Sequence, residues 1–198
     1  MLAGQELDLV LDRTGALKAR SAAQLQHLRS QVAMVFQHFS LWAHMTALEN
    51  IIEAPMHVLG LSRAQAVERA VERAEHDLQR VGVAHRQGAY PAHLSADEQQ
   101  RVAIARALAM EPRVMLFHEP TSTLDPERVG EVLRVMPSVA EEGRTMIVVT
   151  HKMGFAREVS NHLVFLHQGR MEEQGHPREV LAQPQTERLR AFLAHALA

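Results

Sequence analysis

The chain has 198 residues, 46% of them hydrophobic and 22% charged, a balance typical of one soluble globular domain with a sizeable core. A formal net charge of -2 gives no reason to expect nucleic-acid binding, and the lack of cysteine excludes disulfides and thiolate metal sites. No apolar run approaches the roughly 18 residues of a membrane span, and residues 1–6 lack the basic start and apolar core of a signal peptide.

The first part of the chain alternates between short apolar runs and polar connections. Strands are predicted within residues 5–12 and 31–36, and a short helix within residues 23–28. Residues 14–23 are polar and mixed, which is typical of a loop. The second strand ends at Gln37, and a further loop then leads into a helix.

Three longer helices follow from apolar residues at helical spacing and from their end signals. The clearest spans residues 62–82, with Ser62 as N-cap and Gly82 as stop, and the next spans residues 94–110 and begins at Ser95. The third begins at Asp125-Pro126, because aspartate is a good N-cap and proline fits the first turn. Pro137 is expected to break or kink this third helix.

The remaining apolar runs predict the other strands of a sheet. They occupy residues 114–117, 145–150 and 163–166, and two C-terminal helices are predicted at residues 177–181 and 187–197. Strands that alternate with helices in this way indicate an α/β core with a largely parallel sheet.

Polar residues stand directly after two of the buried strands. Glu119 follows the run that starts at residue 114, and His151 follows the run at residues 145–150. Ligands of open α/β sheets bind beyond the carboxyl ends of the strands. Both residues are therefore candidates for binding or catalysis, although a single histidine at a strand end is more often structural.

The sequence Ser95-Ala96-Asp97-Glu98 allows two interpretations. A helix N-terminus offers free N–H groups and a partial positive charge, so it can bind an anion such as phosphate. The same residues fit a capping box, in which a serine and a glutamate three residues later satisfy those N–H groups within the chain. Because Asp97 and Glu98 put two negative charges where an anion would arrive, we favour the self-capped helix.

This order of features resembles the ATP-binding subunits of ABC transporters, and most closely those of the polar amino-acid importers of the histidine permease type. The resemblance covers essentially the whole chain and includes five motifs in the family order, at Gln37, 94–98, 114–119, 121–125 and His151. It implies a RecA-type P-loop NTPase core of α/β class, formed by residues 1–40 and 110–198. Residues 41–109 are then an inserted helical subdomain that includes the signature helix.

The resemblance also implies roles for individual residues around ATP and Mg²⁺. Glu119 corresponds to the glutamate that polarises the attacking water, and His151 to the histidine that contacts the γ-phosphate. Nucleotide and magnesium contacts are implied for Gln37, Ser95, His118 and Asp125.

A membrane partner is implied for the segment after Gln37. In the family, membrane-spanning permease subunits dock at the positions of Leu41, Trp42, His44 and Met45. The resemblance further implies a homodimer or heterodimer of ATP-binding subunits, held at the inner face of the cell membrane through these partners. There, the family couples ATP hydrolysis to solute uptake.

Three departures from the family pattern predict weak ATP binding and hydrolysis. The family signature Leu-Ser-Gly-Gly-Gln is altered at Ala96, Asp97 and Glu98, so both glycines are lost. His118 stands where the family has an aspartate that supports Mg²⁺, and imidazole is a poor replacement for oxygen. The 198 residues contain no Gly-x-x-x-x-Gly-Lys-Ser/Thr loop, so we expect a core truncated at its N-terminal side and without a Walker A loop.

Two alternatives stay open on sequence alone. The chain could be a non-catalytic remnant or an interaction module that docks on a membrane subunit. His118, His151 and Glu119 could instead bind a transition metal, although no motif with ligand spacing predicts a metal site.

Overall fold

The computed structural model describes residue 4 and residues 6–58, 63–124 and 126–196. The chain divides into two compact units, Met1–Val148 and Val149–Ala198. Among the described helices, none has both the length and the apolar character that crossing a membrane requires.

The first unit contains a hairpin and most of a three-stranded sheet. Strands β1 (Leu9–Leu11) and β2 (Leu17–Ala19) pair antiparallel. The larger sheet has the order β3 (Val32–Val35), β4 (Val114–His118) and β5 (Thr145–Val149). β3 and β4 are parallel, with Val32 opposite Val114 and Val35 opposite Phe117, so their carboxyl ends share one edge.

Five helices complete the first unit. They are α1 (Ala22–Ser30), α2 (Ala47–Val58), α3 (Arg63–Arg80), α4 (Ala96–Leu108) and α5 (Pro126–Glu141). Helices α2, α3 and α4 contact one another, and α4 also contacts α5 and β3. Their apolar faces supply buried side chains such as Ile51, Leu78, Ile104 and Met136, which lie with Phe117 of β4 among the most buried residues.

The second unit is a hairpin with three short helices. Its elements are α6 (Met153–Val159), β6 (Leu163–His167), β7 (Arg170–Gly175), α7 (Pro177–Ala182) and α8 (Glu187–Ala196). Val180, Leu189 and Leu193 form its core. The Glu173 carboxylate of β7 accepts from the N–H groups of Gln185 and Thr186 and so fixes the start of α8.

The predicted elements agree with most of this architecture, with three differences. Residues 17–19 form β2 where a loop was expected, and β7 was not predicted at all. Helix α5 continues through Pro137 to Glu141, so the helix is not broken at that proline, and the kink that was expected as the alternative stays a prediction. The expected N-cap Ser62 lies outside the described residues, whereas the helix that it precedes is present as α3.

Candidate functional site

Two candidate residues lie at the shared carboxyl edge of β3 and β4. Gln37 follows β3 after one residue, and Glu119 directly follows β4; both are half-buried, whereas His118 is exposed. The hydroxyl of Thr123 donates to the carbonyl of Gln37 over 3.2 Å. The loop after β4 is therefore held directly against the loop after β3, which joins two of the motifs that the sequence singled out.

The backbone of Glu119 is in the left-handed region, with φ of +47°. Its carbonyl accepts from the N–H of Ser122 over 3.2 Å and from the Ser122 hydroxyl over 3.0 Å, which closes a tight turn. A non-glycine residue held in this region costs on the order of 1–3 kcal/mol, and such strain occurs preferentially at functional sites. The strain agrees with a functional role for Glu119 at this edge, and that role stays a prediction.

The start of helix α4 is satisfied by its own side chains. The N–H of Ser95 donates to Glu98 Oε2 over 2.8 Å, and the Ser95 hydroxyl donates to the same oxygen over 3.0 Å. Together with the reciprocal contact of the serine side chain, this is the capping box expected from the sequence, and that prediction is confirmed. The Ser95 groups that would face a phosphate are thus engaged within the chain.

Asp97 points into the protein and belongs to a network of ion pairs. Its side chain is buried, and its oxygens lie 2.9 Å from Arg101 and 2.6 Å from Arg128. Arg101 also contacts Glu131 of α5 over 3.2 Å, while Arg86 contacts Glu98 over 3.1 Å.

The network changes the expectation that the altered signature presents two bare negative charges. Three carboxylates (Asp97, Glu98 and Glu131) are matched by three guanidinium groups (Arg86, Arg101 and Arg128). The local charge is therefore balanced, and the obstacle to an incoming anion is occupation of the helix start more than repulsion.

The pKa values of both signature carboxylates lie below their ordinary range. Burial raises the pKa of Asp97, but hydrogen bonds from Arg128, Ser95 and Arg101 together lower it by more. Burial also raises the pKa of Glu98, and the N–H and hydroxyl of Ser95, with the charge of Arg86, again outweigh that effect. Both groups are consequently charged at neutral pH.

Replacing Glu98 with alanine should lower the free energy of unfolding by about 1 kcal/mol, because the Ser95 N–H loses its acceptor. The matched control is Glu127→Ala, since Glu127 is also an acidic residue in a first helical turn and makes no hydrogen bond or ion pair with the described part of the chain. Urea unfolding followed by circular dichroism measures both variants. Equal losses in the two variants would show that the capping box contributes nothing beyond the interaction with the helix dipole.

The segment of residues 41–46, here named the docking segment, is held by one buried side chain. Asn50, on α2, has no exposed surface; its Oδ1 accepts from the N–H of Trp42 over 2.8 Å. Its Nδ2 donates to the carbonyls of Trp42, Met45 and Thr46 over 3.0–3.1 Å. With this loop closed around Asn50, Trp42 and His44 are exposed, and Leu41 and Met45 are half-buried.

The other candidate residues belong to different units or lie outside the described residues. His151 is exposed and lies in the second unit, whereas Glu119 lies in the first, so the roles that the resemblance implies for them at one nucleotide stay predictions. Asp125 lies outside the described residues. Within the described ranges, no group of three histidine, aspartate or glutamate side chains could hold a metal ion, so the alternative of a transition-metal site gains no support.

Comparison with known families identifies the family of the chain. A family model described as ABC transporter matches residues 5–122, which is more than half of the chain. The chain belongs to the ABC transporter family. The resemblance seen in the sequence motifs is thereby confirmed.

Characterised ABC transporter proteins match the chain over nearly all of its length. The arginine/ornithine transport ATP-binding protein AotP of Pseudomonas aeruginosa is 66% identical over 100% of this chain and 76% of its own length. The histidine/lysine/arginine/ornithine transport ATP-binding protein HisP of Escherichia coli is 59% identical over 98% of this chain and 74% of its own length.

Solved ABC structures share the fold. The cbiO1 protein of Clostridium perfringens, part of an ABC transporter complex, superposes with a TM-score of 0.73 at 25% identity, over 94% of this chain and 77% of that one. A dimeric ATP-binding cassette in a post-hydrolysis state, bound to ADP and Pi, gives 0.66 at 30% identity, over 80% and 68% of the two chains. The expected P-loop NTPase fold class is confirmed.

The ABC family uses ATP and Mg²⁺, and the residues present here fit those groups poorly. His118 offers an imidazole where Mg²⁺ prefers oxygen ligands. At the start of α4, the N–H and the hydroxyl of Ser95 already donate to the Glu98 carboxylate, which takes the place that a phosphate oxygen would need as acceptor.

Sequence reasoning missed several residues that hold these candidate segments in place, among them Asn50, Arg101, Arg106 and Arg128. One of them had a visible signal, because Arg101 stands four residues after Asp97 on the same helix, the spacing at which opposite charges pair. The other residues contact partners that are 31 or more positions away in the sequence, or they bind loop carbonyls. No periodic pattern in the sequence predicts contacts of these kinds.

Proposed function

We propose that the chain is the ATP-binding subunit of an amino-acid importer and docks on membrane-spanning permease subunits at the inner face of the cell membrane. The observation that carries this proposal is the 66% identity, over the whole chain, to a protein named for arginine/ornithine transport. The second relative is named for histidine, lysine, arginine and ornithine, which supports a polar, basic amino acid as cargo. A second ATP-binding subunit, identical or different, completes the assembly.

The docking segment is our proposed contact with the permease, through Leu41, Trp42, His44 and Met45. Its support is the four hydrogen bonds to Asn50, which hold an exposed tryptophan in one backbone conformation before any partner arrives. Preorganisation of this kind lowers the entropy cost of association. We also propose that residues 41–109 act as the helical subdomain, which the mutual packing of α2, α3 and α4 supports.

We also propose that this chain binds and hydrolyses ATP only weakly. Glu119 and His151 are the catalytic candidates, and Gln37, Ser95, His118 and Asp125 are the candidates for nucleotide or magnesium contacts. The self-capped start of α4 and the imidazole of His118 favour weak turnover by these 198 residues. A subunit that docks on the permease without hydrolysing ATP is accordingly the second candidate function.

Docking is tested with membrane-spanning permease subunits of an arginine/ornithine importer in lipid nanodiscs. The Trp42→Glu variant should bind them at least about tenfold more weakly than the unaltered chain, a loss of roughly 1.4 kcal/mol. Arg134→Ala alters an exposed residue of α5 and serves as a surface control, with unchanged affinity expected. Binding that Trp42→Glu leaves untouched would remove the docking segment from the proposal.

ATP should bind the purified 198-residue chain with a dissociation constant weaker than about 1 mM, equivalent to about -4 kcal/mol. The reason is that the Ser95 end of α4 is engaged by Glu98 and that His118 replaces an oxygen ligand. Isothermal titration with magnesium–ATP makes the measurement, with the arginine/ornithine relative as the positive control. Micromolar affinity would contradict the proposed deficiency.

A further inference from the structure

Arg106 of helix α4 contacts both the docking segment and the turn before it. Arg106 Nη1 donates to the carbonyl of Ser40 over 2.8 Å, and Nη2 donates to the carbonyl of Phe39 over 3.1 Å. The guanidinium carbon lies 5.1 Å from the centre of the Trp42 ring. One side chain thus contacts three residues that stand more than sixty positions earlier in the sequence.

The two carbonyls belong to an unusual stretch of backbone. Phe39 and Ser40 have φ values of +56° and +52°, so two consecutive non-glycine residues are in the left-handed region. Each such residue is disfavoured by roughly 1–2 kcal/mol, so the turn persists only when its surroundings fix it. A planar guanidinium has the fork geometry that binds two neighbouring acceptors at once, which a lysine ammonium lacks.

The charge of Arg106 is satisfied by this turn. Burial lowers the pKa of the guanidinium, yet an arginine stays protonated in proteins. Among the described residues no carboxylate forms an ion pair with it, so its counter-groups are the two carbonyl dipoles and the face of the Trp42 ring. A cation over an indole face contributes about 0.5–2 kcal/mol, depending on its exposure.

We propose that Arg106 is a positioning residue of the docking segment, which fixes the Phe39-Ser40 turn and the Trp42 ring against α4. The inference rests on the proposed docking function. Arg106 lies on the helix that begins at Ser95, roughly 16 Å away at the helical rise per residue. Movement of α4 therefore displaces the guanidinium and, with it, the orientation in which Trp42 meets the permease.

Trp42 is the single tryptophan of the chain, so the tryptophan fluorescence reports on the docking segment without a contribution from a second tryptophan. In Arg106→Ala, the acrylamide quenching constant should rise about twofold, because the ring face that the guanidinium covers becomes open to the quencher. Arg106→Lys retains the charge and one donor direction and should give an intermediate value. Arg134→Ala removes an exposed guanidinium that lies on α5, and the Trp42 signal should not change.

The permease arm of the experiment separates this inference from the docking function itself. Arg106→Ala should weaken binding to the arginine/ornithine permease nanodiscs at least about tenfold, with partial rescue by Arg106→Lys. Unchanged Trp42 quenching in folded Arg106→Lys and Arg106→Ala overturns the positioning role; if the alanine variant does not fold, the lysine variant decides. Altered quenching with unaltered permease affinity overturns the link to docking, whereas failure of Trp42→Glu to weaken binding refutes the docking function alone.

Discussion

Replacing Asp97 with glycine, the residue of the family signature, should lower the free energy of unfolding by about 3 kcal/mol instead of restoring a better cassette. The carboxylate is buried and holds Arg101 and Arg128 at 2.9 and 2.6 Å. Removing it leaves the guanidinium of Arg101, which is 13% exposed, without its nearest partner. Urea unfolding of the two proteins at pH 7 measures the loss.

The dependence of the free energy of unfolding on pH, measured on the acid side of neutrality, provides the control for Asp97. Its pKa is lowered in the folded protein, so its contribution is fully present above the unfolded pKa of about 3.9 and disappears as the pH falls through the lower folded value. Asp97→Asn keeps the shape without the charge. The stability difference between the unaltered chain and this variant should be largest above about pH 5 and fade below pH 4. A difference that is independent of pH would refute the ion-pair account.

Replacing Asn50 with alanine should lower the free energy of unfolding by a similar amount, about 3 kcal/mol. Its amide oxygen accepts from one N–H of the docking segment, and its amide nitrogen donates to three carbonyls there. The side chain has no exposed surface. No other described side chain donates to those carbonyls. The loss should appear in urea unfolding, together with a shift of the Trp42 emission.

Two further variants test whether the loss comes from the hydrogen bonds of Asn50: Asn50→Asp removes the donor, and Asn161→Ala is the control. Aspartate has the same shape and retains the acceptor for Trp42, but it turns an acceptor towards three carbonyls, so its loss should approach that of alanine. Asn161 is exposed, and its replacement should change stability by less than about 0.5 kcal/mol. A small loss in both Asn50 variants would mean that the docking segment is held by something other than this amide.

Local features of the fold could be predicted because they depend on neighbours in the sequence. The capping box at Ser95 and Glu98 spans three residues, and the helix from Arg63 shows its apolar face at the helical period. The buried strand before Glu119 is an unbroken apolar run. In each case the side chains that form the feature stand within one or two turns of each other, so the pattern contains the information.

Other elements exist because of packing with distant residues. The run that forms β7, Arg-Met-Glu-Glu-Gln-Gly, has no apolar alternation and is extended because it pairs with β6. Helix α5 tolerates Pro137, although proline in a helix interior costs about 3 kcal/mol. Val132, Met136 and Val139 are completely buried on either side of it, and that burial offsets the cost.

The amino-acid sequence by itself determined the family, the α/β order and the chemical identity of each altered motif residue, because these properties reside in short, contiguous motifs. Only the tertiary structure decided what the altered residues do. Asp97 and Glu98 pair with arginines from α4, from α5 and from the loop before α4, and Arg106 reaches back to Phe39 and Ser40. The physical reason is that an ion pair or a two-carbonyl contact depends on where distant backbone segments meet, and that is fixed by burial of the whole core.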